Sequence, residues 1–359
     1  MSGQRWGFST GACAAAAAKA AALAASGLAV PSTIEIPFPD GVRRSLPIAW
    51  AEPGRAAVRK DAGDDPDITD GALVIATVTP APDWRYEAGE GVGTVTLPGL
   101  QIPPGEPAIN PAPRAMIRAA LEELGWTGAR IRIAIPGGTA LAERTFNPRL
   151  GVAGGLSVLG TQGRVRPFSL EAVRVTISCA LDVTRAAGHD RVGLAPGHLG
   201  ERALEAGAGG RGAWAEGRGN RSEGRGDRLP IVEVSNEWGH ALDAAAAKGF
   251  AALLLAGHPG KLAKLAEGHF DTHSSRSPSP LPQVRALVQD LTGHPAGAAP
   301  TLEGLFQALA PDERRRVADH LAGSVAQAAR NRTGLPCAVL LTTMDGGVYG
   351  ALTEDTPWA

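Results

Sequence analysis

Three segments of this 359-residue chain combine residue types and spacings that ligand chemistry uses. The first runs from Gly91 to Pro111, contains Glu106, ends at Asn110 and is followed by Arg114. It is too polar, and too broken by proline and glycine, to be a buried core element. Proline fixes φ and removes a donor, and glycine opens positive φ, so the run encodes a specific loop shape. Such a loop, feeding polar side chains into a helix start, is how scaffolds present binding groups; an ordinary strand-to-helix loop is the plain alternative. The second segment, Gly151–Gly163, is dense in glycine, follows Asn147-Pro-Arg149 and precedes Arg164 and Arg166. Glycine lets backbone N–H groups approach an anionic or extended ligand, or it marks a tight structural turn. The third is Gly257-His-Pro-Gly-Lys261 with Lys264, His269, Asp271 and His273. Lysine and protonated histidine at a helix start suit carboxylates, with solvated histidines as the alternative. His269 and His273 have helical i,i+4 spacing, but Gly268 and the Asp-Thr-His-Ser run favour a loop, so no protein-held metal is expected.

Other chemistries lack their signatures. The Gly151–Gly163 loop carries neither a GxGxxG fingerprint nor a phosphate-binding GxxxxGK[ST]. Ser157 lies in Gly-Leu-Ser-Val-Leu, without the second glycine of a nucleophile elbow.

The elements that position these segments fall into two rhythms. Ser9 and Thr10 read as caps of a helix over 11–26 that stops at Gly27. Strand-like runs at Thr33–Ile36, Arg43–Ile48 and Leu73–Thr79 follow, punctuated by Asp64-Asp-Pro-Asp67 and Asp70-Gly71. A helix around Pro113–Leu124 and a strand at Ile131–Ile135 complete a mixed α+β region. Later, Arg191–Ala195, Ile231–Val234 and Phe250–Ala256 are each followed by a turn and a helix, which predicts a parallel sheet with helical crossovers. Ligands of such sheets sit beyond the carboxyl ends of the strands, here at His198, Asn236 and His258. The expectation is two domains: α+β over 1–170 with glycine- and proline-rich ligand loops, and α/β over 171–359 with a parallel sheet flanked by helices. Residues 201–228, rich in Gly, Arg, Ala and Glu, read as a flexible insertion.

Composition narrows the class. A length of 359 residues exceeds the ~250–300 at which single cores stop growing. A net charge of −1 with few aromatics argues against a nucleic-acid partner. Cys13, Cys179 and Cys337 lie far apart with no CxxC, so neither a disulfide framework nor a structural zinc is expected, and a reducing cytoplasm fits. No run is long and apolar enough for a membrane span, and the alanine-rich start with Lys19 reads as a mature helix, not a leader. Oligomeric state is open, with a homo-oligomer among the options.

Taken together, five ordered blocks resemble the CbiD family, the cobalt-precorrin-5B C1-methyltransferases of cobalamin biosynthesis. The blocks are Phe8–Lys19, Gly91–Arg114, Thr145–Gly151 continuing to Ser169, Ser235-Asn236 and Gly257–Ser274. The chain departs from the family pattern at Ser9, at Glu237-Trp238 and at Asp271. The resemblance implies methyl transfer from S-adenosylmethionine (SAM) to C1 of cobalt-precorrin-5B, giving cobalt-precorrin-6A, with cobalt present only in the substrate. It implies a cationic pocket for the carboxylates of the tetrapyrrole, assigned to Ser9, Thr10, Asn110, Arg114, Arg149, Arg164, Arg166, Lys261, His269 and His273. SAM is assigned to Gly154, Gly155, Gly160, Thr161, Gly163 and Asn236. His258 and Glu106 are the candidates for moving a proton. Methyl displacement needs positioning and desolvation more than covalent catalysis, consistent with the missing nucleophile motif. A nucleotide-dependent oxidoreductase and a non-catalytic tetrapyrrole-binding protein are the competing readings.

Overall fold

Alanine is the strongest helix former and the smallest side chain that still packs. It dominates Thr10–Ala25, which forms α1, buried along most of its length. The computed structural model describes residues 4–167, 169–197, 200–202 and 229–352. His198 and residues 203–228, most of the expected insertion, lie outside the described residues.

The chain divides into the units Met1–Leu170 and Glu171–Ala359. In the first, β1 (Gly7–Phe8) leads into α1, followed by β2 (Thr33–Pro37), β3 (Arg43–Pro47), β4 (Trp50–Glu52), β5 (Arg55–Arg59), β6 (Leu73–Pro80), β7 (Trp84–Ala88) and β8 (Thr94–Val95). Then come α2 (Pro111–Glu122), β9 (Ala129–Ala134), α3 (Gly138–Ala142), β10 (Val152–Ala153) and β11 (Arg164–Val165). The main sheet has the order β4-β5-β6-β9-β7 and is antiparallel except for the β7–β9 pair. In β9, alternating alanine or isoleucine and arginine put alternate residues in the core, the pattern of a half-covered sheet. α1 packs on β5, β6 and α2, where its small side chains allow close approach. β2 pairs with β3, β1 with β11, and β8 with β10.

The second unit contains α4 (Leu170–Ala186), β12 (Arg191–Ala195), β13 (Ile231–Glu233), α5 (Trp238–Ala247), β14 (Ala252–Gly257), α6 (Pro259–Ala266), α7 (Leu281–Thr292), α8 (Leu302–Ala308), α9 (Pro311–Thr333), β15 (Cys337–Thr342) and β16 (Val348–Leu352). Its sheet runs β13-β12-β14-β15-β16, parallel in the first four strands, with β16 antiparallel at the edge. The apolar runs of β14 and β15 are buried throughout, as a sheet covered on both faces requires. Leu253 and Leu255 join the large core with α5, α6 and α9, and Leu254 and Ala256 a smaller cluster. This is the mixed fold class expected from the sequence, α+β followed by α/β. Strand β12, second in the sheet, has β13 on one side and β14 on the other, so chain order reverses there. Doubly wound sheets open their ligand crevice beyond such strand ends.

Candidate functional site

In the first unit, the loops expected to bind ligand converge on the starts of α1 and α2. Ser9 caps α1, its Oγ accepting from Ala12 N at 3.1 Å. Thr10 Oγ1 accepts from Leu159 N at 2.9 Å, and Gly11 N donates to Leu159 O at 2.8 Å. Ser9 and Thr10 are buried. Both hydroxyls are expected at the substrate, but that of Thr10 fixes the 159–163 loop over the helix start and that of Ser9 caps α1. Close packing explains several glycines as well. A Cβ on Gly160 would overlap the Ser9 side chain, and one on Gly155 the backbone of Gly91. Gly163, at φ 72°, lies against Phe38. Thr161 is exposed.

Asn110 stands at the N-cap of α2 with extended backbone, yet its side chain makes no cap hydrogen bond. Pro113 removes the N–H at the third helical position, one of the two donors such a cap can use. Gly11 packs directly on Pro113, so two helix N-termini, with their partial positive charge, lie side by side. Arg114 holds the preceding loop: Nε donates to Ile109 O at 2.8 Å and Nη2 to Pro107 O at 3.3 Å. It pairs with Glu106 at 2.8 Å and lies over the Tyr86 ring. Arg114 and Glu106 therefore engage each other. A residue the sequence reading missed, Trp6, stands beside Arg164 and Arg166. Arg149 lies over exposed Phe146.

A cleft of about 270 Å³ opens along Gly151–Gly155, also lined by Thr96, Thr139, Ala142, Glu143 and Pro148. It brings Gly154 and Gly155 together, whereas Gly160, Thr161 and Gly163 are not among its lining residues. Thr96 and Thr139 hydroxyls donate to Gly151 O and Gly154 O, which fixes the glycine backbone along its wall.

In the second unit, His258 is the N-cap of α6 at the carboxyl end of β14. Its Nδ1 accepts from Gly260 N at 3.0 Å, so the neutral ring carries its proton on Nε2, which lies 2.7 Å from Glu303 Oε2. Both ring nitrogens are engaged. A proton-transfer role would require one of these bonds to break. Lys261, in the first turn of α6, is half-buried. Burial pushes its pKa below the ordinary lysine value, Glu233 opposes the shift, and Lys264 reinforces it. A cation at a helix N-terminus also opposes the helix dipole, so an anion bound there would relieve both costs.

The 269–277 loop is fastened onto the segment after β13. Ser235 adopts φ 52°, and Asn236 Oδ1 accepts from Thr272 Oγ1 at 3.1 Å while its carbonyl accepts from Thr272 N. Buried Lys264 donates to Thr272 O at 3.0 Å and Ser277 Oγ at 2.9 Å. The departures at Glu237 and Asp271 share partners. Glu237 is buried and bonds Arg174 at 2.6 Å, with Arg276 at 3.6 Å, and Arg276 also pairs with Asp271. Burial raises the pKa of Asp271, but Arg276 and the His273 N–H outweigh it and hold the carboxyl below its usual value. The extra negative charge at 271 is thus neutralised within the loop. His273 is exposed, its Nδ1 bonded to Ser275, and His269 is half-buried. Among the described residues, no cluster of three or more His, Cys, Asp or Glu side chains is arranged to hold a metal, and no helix is long and apolar enough to cross a membrane.

A family model described as CbiD matches residues 1–167. A relative in Syntrophotalea carbinolica, named cobalt-precorrin-5B C(1)-methyltransferase, is 48% identical over 365 residues, covering 100% of both chains. Relatives of the same name in Burkholderia vietnamiensis and Thermus thermophilus are 40% and 41% identical, covering 85% and 83% of this chain and 81% and 77% of theirs. The crystal structure of a cobalamin biosynthesis protein (cbiD) from Archaeoglobus fulgidus is 26% identical, covers 76% of this chain and 83% of its own, and superposes with a TM-score of 0.41.

Proposed function

This chain belongs to the CbiD family, and on that premise we propose that it is a SAM-dependent methyltransferase that methylates C1 of cobalt-precorrin-5B. The observation that carries the proposal is the 48% identity, over the full length of both chains, to a relative of that name. When bound, SAM supplies an electrophilic methyl group on a sulfonium. The residues described above are suited to binding and orientation. In the first unit, Arg164 and Arg166 supply cationic donors for the carboxylates of the tetrapyrrole, and Asn110 adds an amide that caps no helix. The cleft along Gly151–Gly155 is at the small end of ligand pockets, so we assign it to SAM rather than to the macrocycle. Gly160 and Gly163, with Ser9 and Thr10, shape the neighbouring loop. His258, held by Gly260 and Glu303, and Glu106, held by Arg114, keep their loops in place and so act as positioning residues. Cobalt belongs to the substrate, and the cytoplasm is the proposed location.

Anaerobic incubation of the protein with SAM and cobalt-precorrin-5B tests this reading. It predicts a product heavier by one methyl group and stoichiometric S-adenosylhomocysteine. Folded protein that leaves both compounds unchanged would contradict it.

A further inference from the structure

The short ladder of β1 and β11 pairs Gly7 with Val165 and Phe8 with Arg164. Side chains alternate across a strand, so Trp6 and Phe8 share a face with Arg164 and Arg166, while Gly7 and Val165 take the other. That other face is shut, since Gly7 lies against the backbone of Ala62 with no room for a Cβ. On the open face, the guanidinium carbon of Arg164 is 4.1 Å from the Trp6 ring centroid and that of Arg166 is 5.5 Å away. Trp6 is 38% exposed.

The strand that carries Trp6 is pinned from behind. Arg5 N donates to Asp64 Oδ2 at 2.7 Å, the Arg5 guanidinium pairs with Asp61, and Phe8 N donates to Asp61 O at 2.8 Å. Trp6 itself bridges to Gly63. The carboxylates of Asp61 and Asp64 are therefore directed at Arg5. Among the described residues, no ion pair joins a carboxylate to Arg164 or Arg166. An exposed arginine ordinarily samples many rotamers. Contact with an indole ring restrains it while leaving N–H donors for a carboxylate.

We propose that Trp6 is a positioning residue for a two-carboxylate clamp, holding Arg164 and Arg166 so that together they grip carboxylate arms on the periphery of a tetrapyrrole. The inference rests on the proposed function only for the identity of that ligand. The clamp itself calls for any rigid, multiply carboxylated ring.

Two measurements separate the clamp from the function. The first is titration of wild type, W6A, R164A/R166A and the triple variant with uroporphyrin, a ring with a carboxylate-bearing periphery. Removing both arginines should weaken binding by about ten- to a hundredfold, and W6A alone by about two- to fivefold. W6A should add nothing when both arginines are already absent. The second is anaerobic steady-state kinetics, in which KM for cobalt-precorrin-5B should rise in the same order with kcat and KM for SAM unchanged. Unchanged affinity in R164A/R166A overturns the clamp. So does an equal loss from W6A with and without the arginines, which would make Trp6 a stacking surface in its own right. A wild type that binds uroporphyrin as predicted but transfers no methyl group would reject the function and leave the clamp standing.

Discussion

Lys60 offers the sharpest test of how the Trp6 strand is held. Its side chain is only about 1% exposed, and Nζ donates to Asp67 Oδ2 at 2.8 Å. The aspartate-rich turn after Lys60 supplies the groups that pin Arg5, Trp6 and Phe8. Asp67→Asn keeps the shape and removes the charge, leaving an ammonium inside the protein without its counter-ion. Breaking one side of a buried pair costs about 3–5 kcal/mol. Asp67 is a quarter exposed and Asn still offers a carbonyl oxygen, which places the cost near the lower end, about 3 kcal/mol. Lys60→Met should cost less, about 1–2 kcal/mol, because the carboxylate left behind keeps hydrogen bonds from Thr69 N at 2.8 Å and Thr69 Oγ1 at 2.6 Å and can reach water. Scanning calorimetry, fitted with separate transitions for the two units, should show the first unit's Tm lowered by roughly 6–12 °C in D67N. Burial pushes the Asp67 carboxyl up, but Lys60 and the Thr69 bonds outweigh it and hold the pKa below its usual value. Its contribution is therefore complete above the ordinary aspartate pKa of about 3.9 and is lost as pH falls through the lowered folded value. D67N should flatten that acid limb. An asparagine variant less destabilised than the methionine variant would refute the reasoning.

Arg114→Ala removes three hydrogen-bonding contacts to one loop and should destabilise the first unit by about 2–3 kcal/mol in thermal melts, with Arg114→Lys recovering less than half because a lysine cannot reproduce the fork. Arg276→Ala leaves Asp271 without its ion-pair partner and Glu237 paired with Arg174. Hydrogen exchange at Thr272 N should then accelerate, and unchanged protection would mean that Asn236 and Lys264 hold the loop without help from Arg276. Burial pushes the Cys13 and Cys337 thiols up to about 12 and raises Cys179 less, so a thiol reagent at mildly alkaline pH should label at most one cysteine before unfolding. Labelling of two or more in folded protein would contradict the burial.

Much of the frame was legible because local chemistry and tertiary packing agree. Ser9 before an alanine run and Gly27 after it marked α1, and the three strand–turn–helix units gave the parallel sheet. β5 escaped because Arg-Ala-Ala-Val-Arg carries little β signal of its own and is a strand through its neighbour β6, whereas Trp-Arg-Tyr-Glu-Ala of β7 does alternate aromatic and charged residues but is too short to stand out beside the loop that follows. α9 carries a buried stripe from Val317 to Ala329 amid many charges, so its core role was hidden in its composition. At the site, residue type identified the loops, but not which polar groups face a ligand. Thr10 and His258 look like ligand residues in sequence, yet their atoms are engaged with backbone and Glu303. Trp6 lacked any signal, because its pairing with Arg164 and Arg166 spans more than 150 residues and appears only once β1 meets β11.

The central claim, methyl transfer to C1, is tested most directly with SAM carrying an isotopically labelled methyl group. The protein, SAM and cobalt-precorrin-5B are incubated anaerobically and the purified tetrapyrrole is read by NMR. The account predicts one labelled methyl resonance, coupled to ring carbon C1, that appears only with active protein. Label on any other ring position, or SAM consumed with no label in the ring, would contradict it.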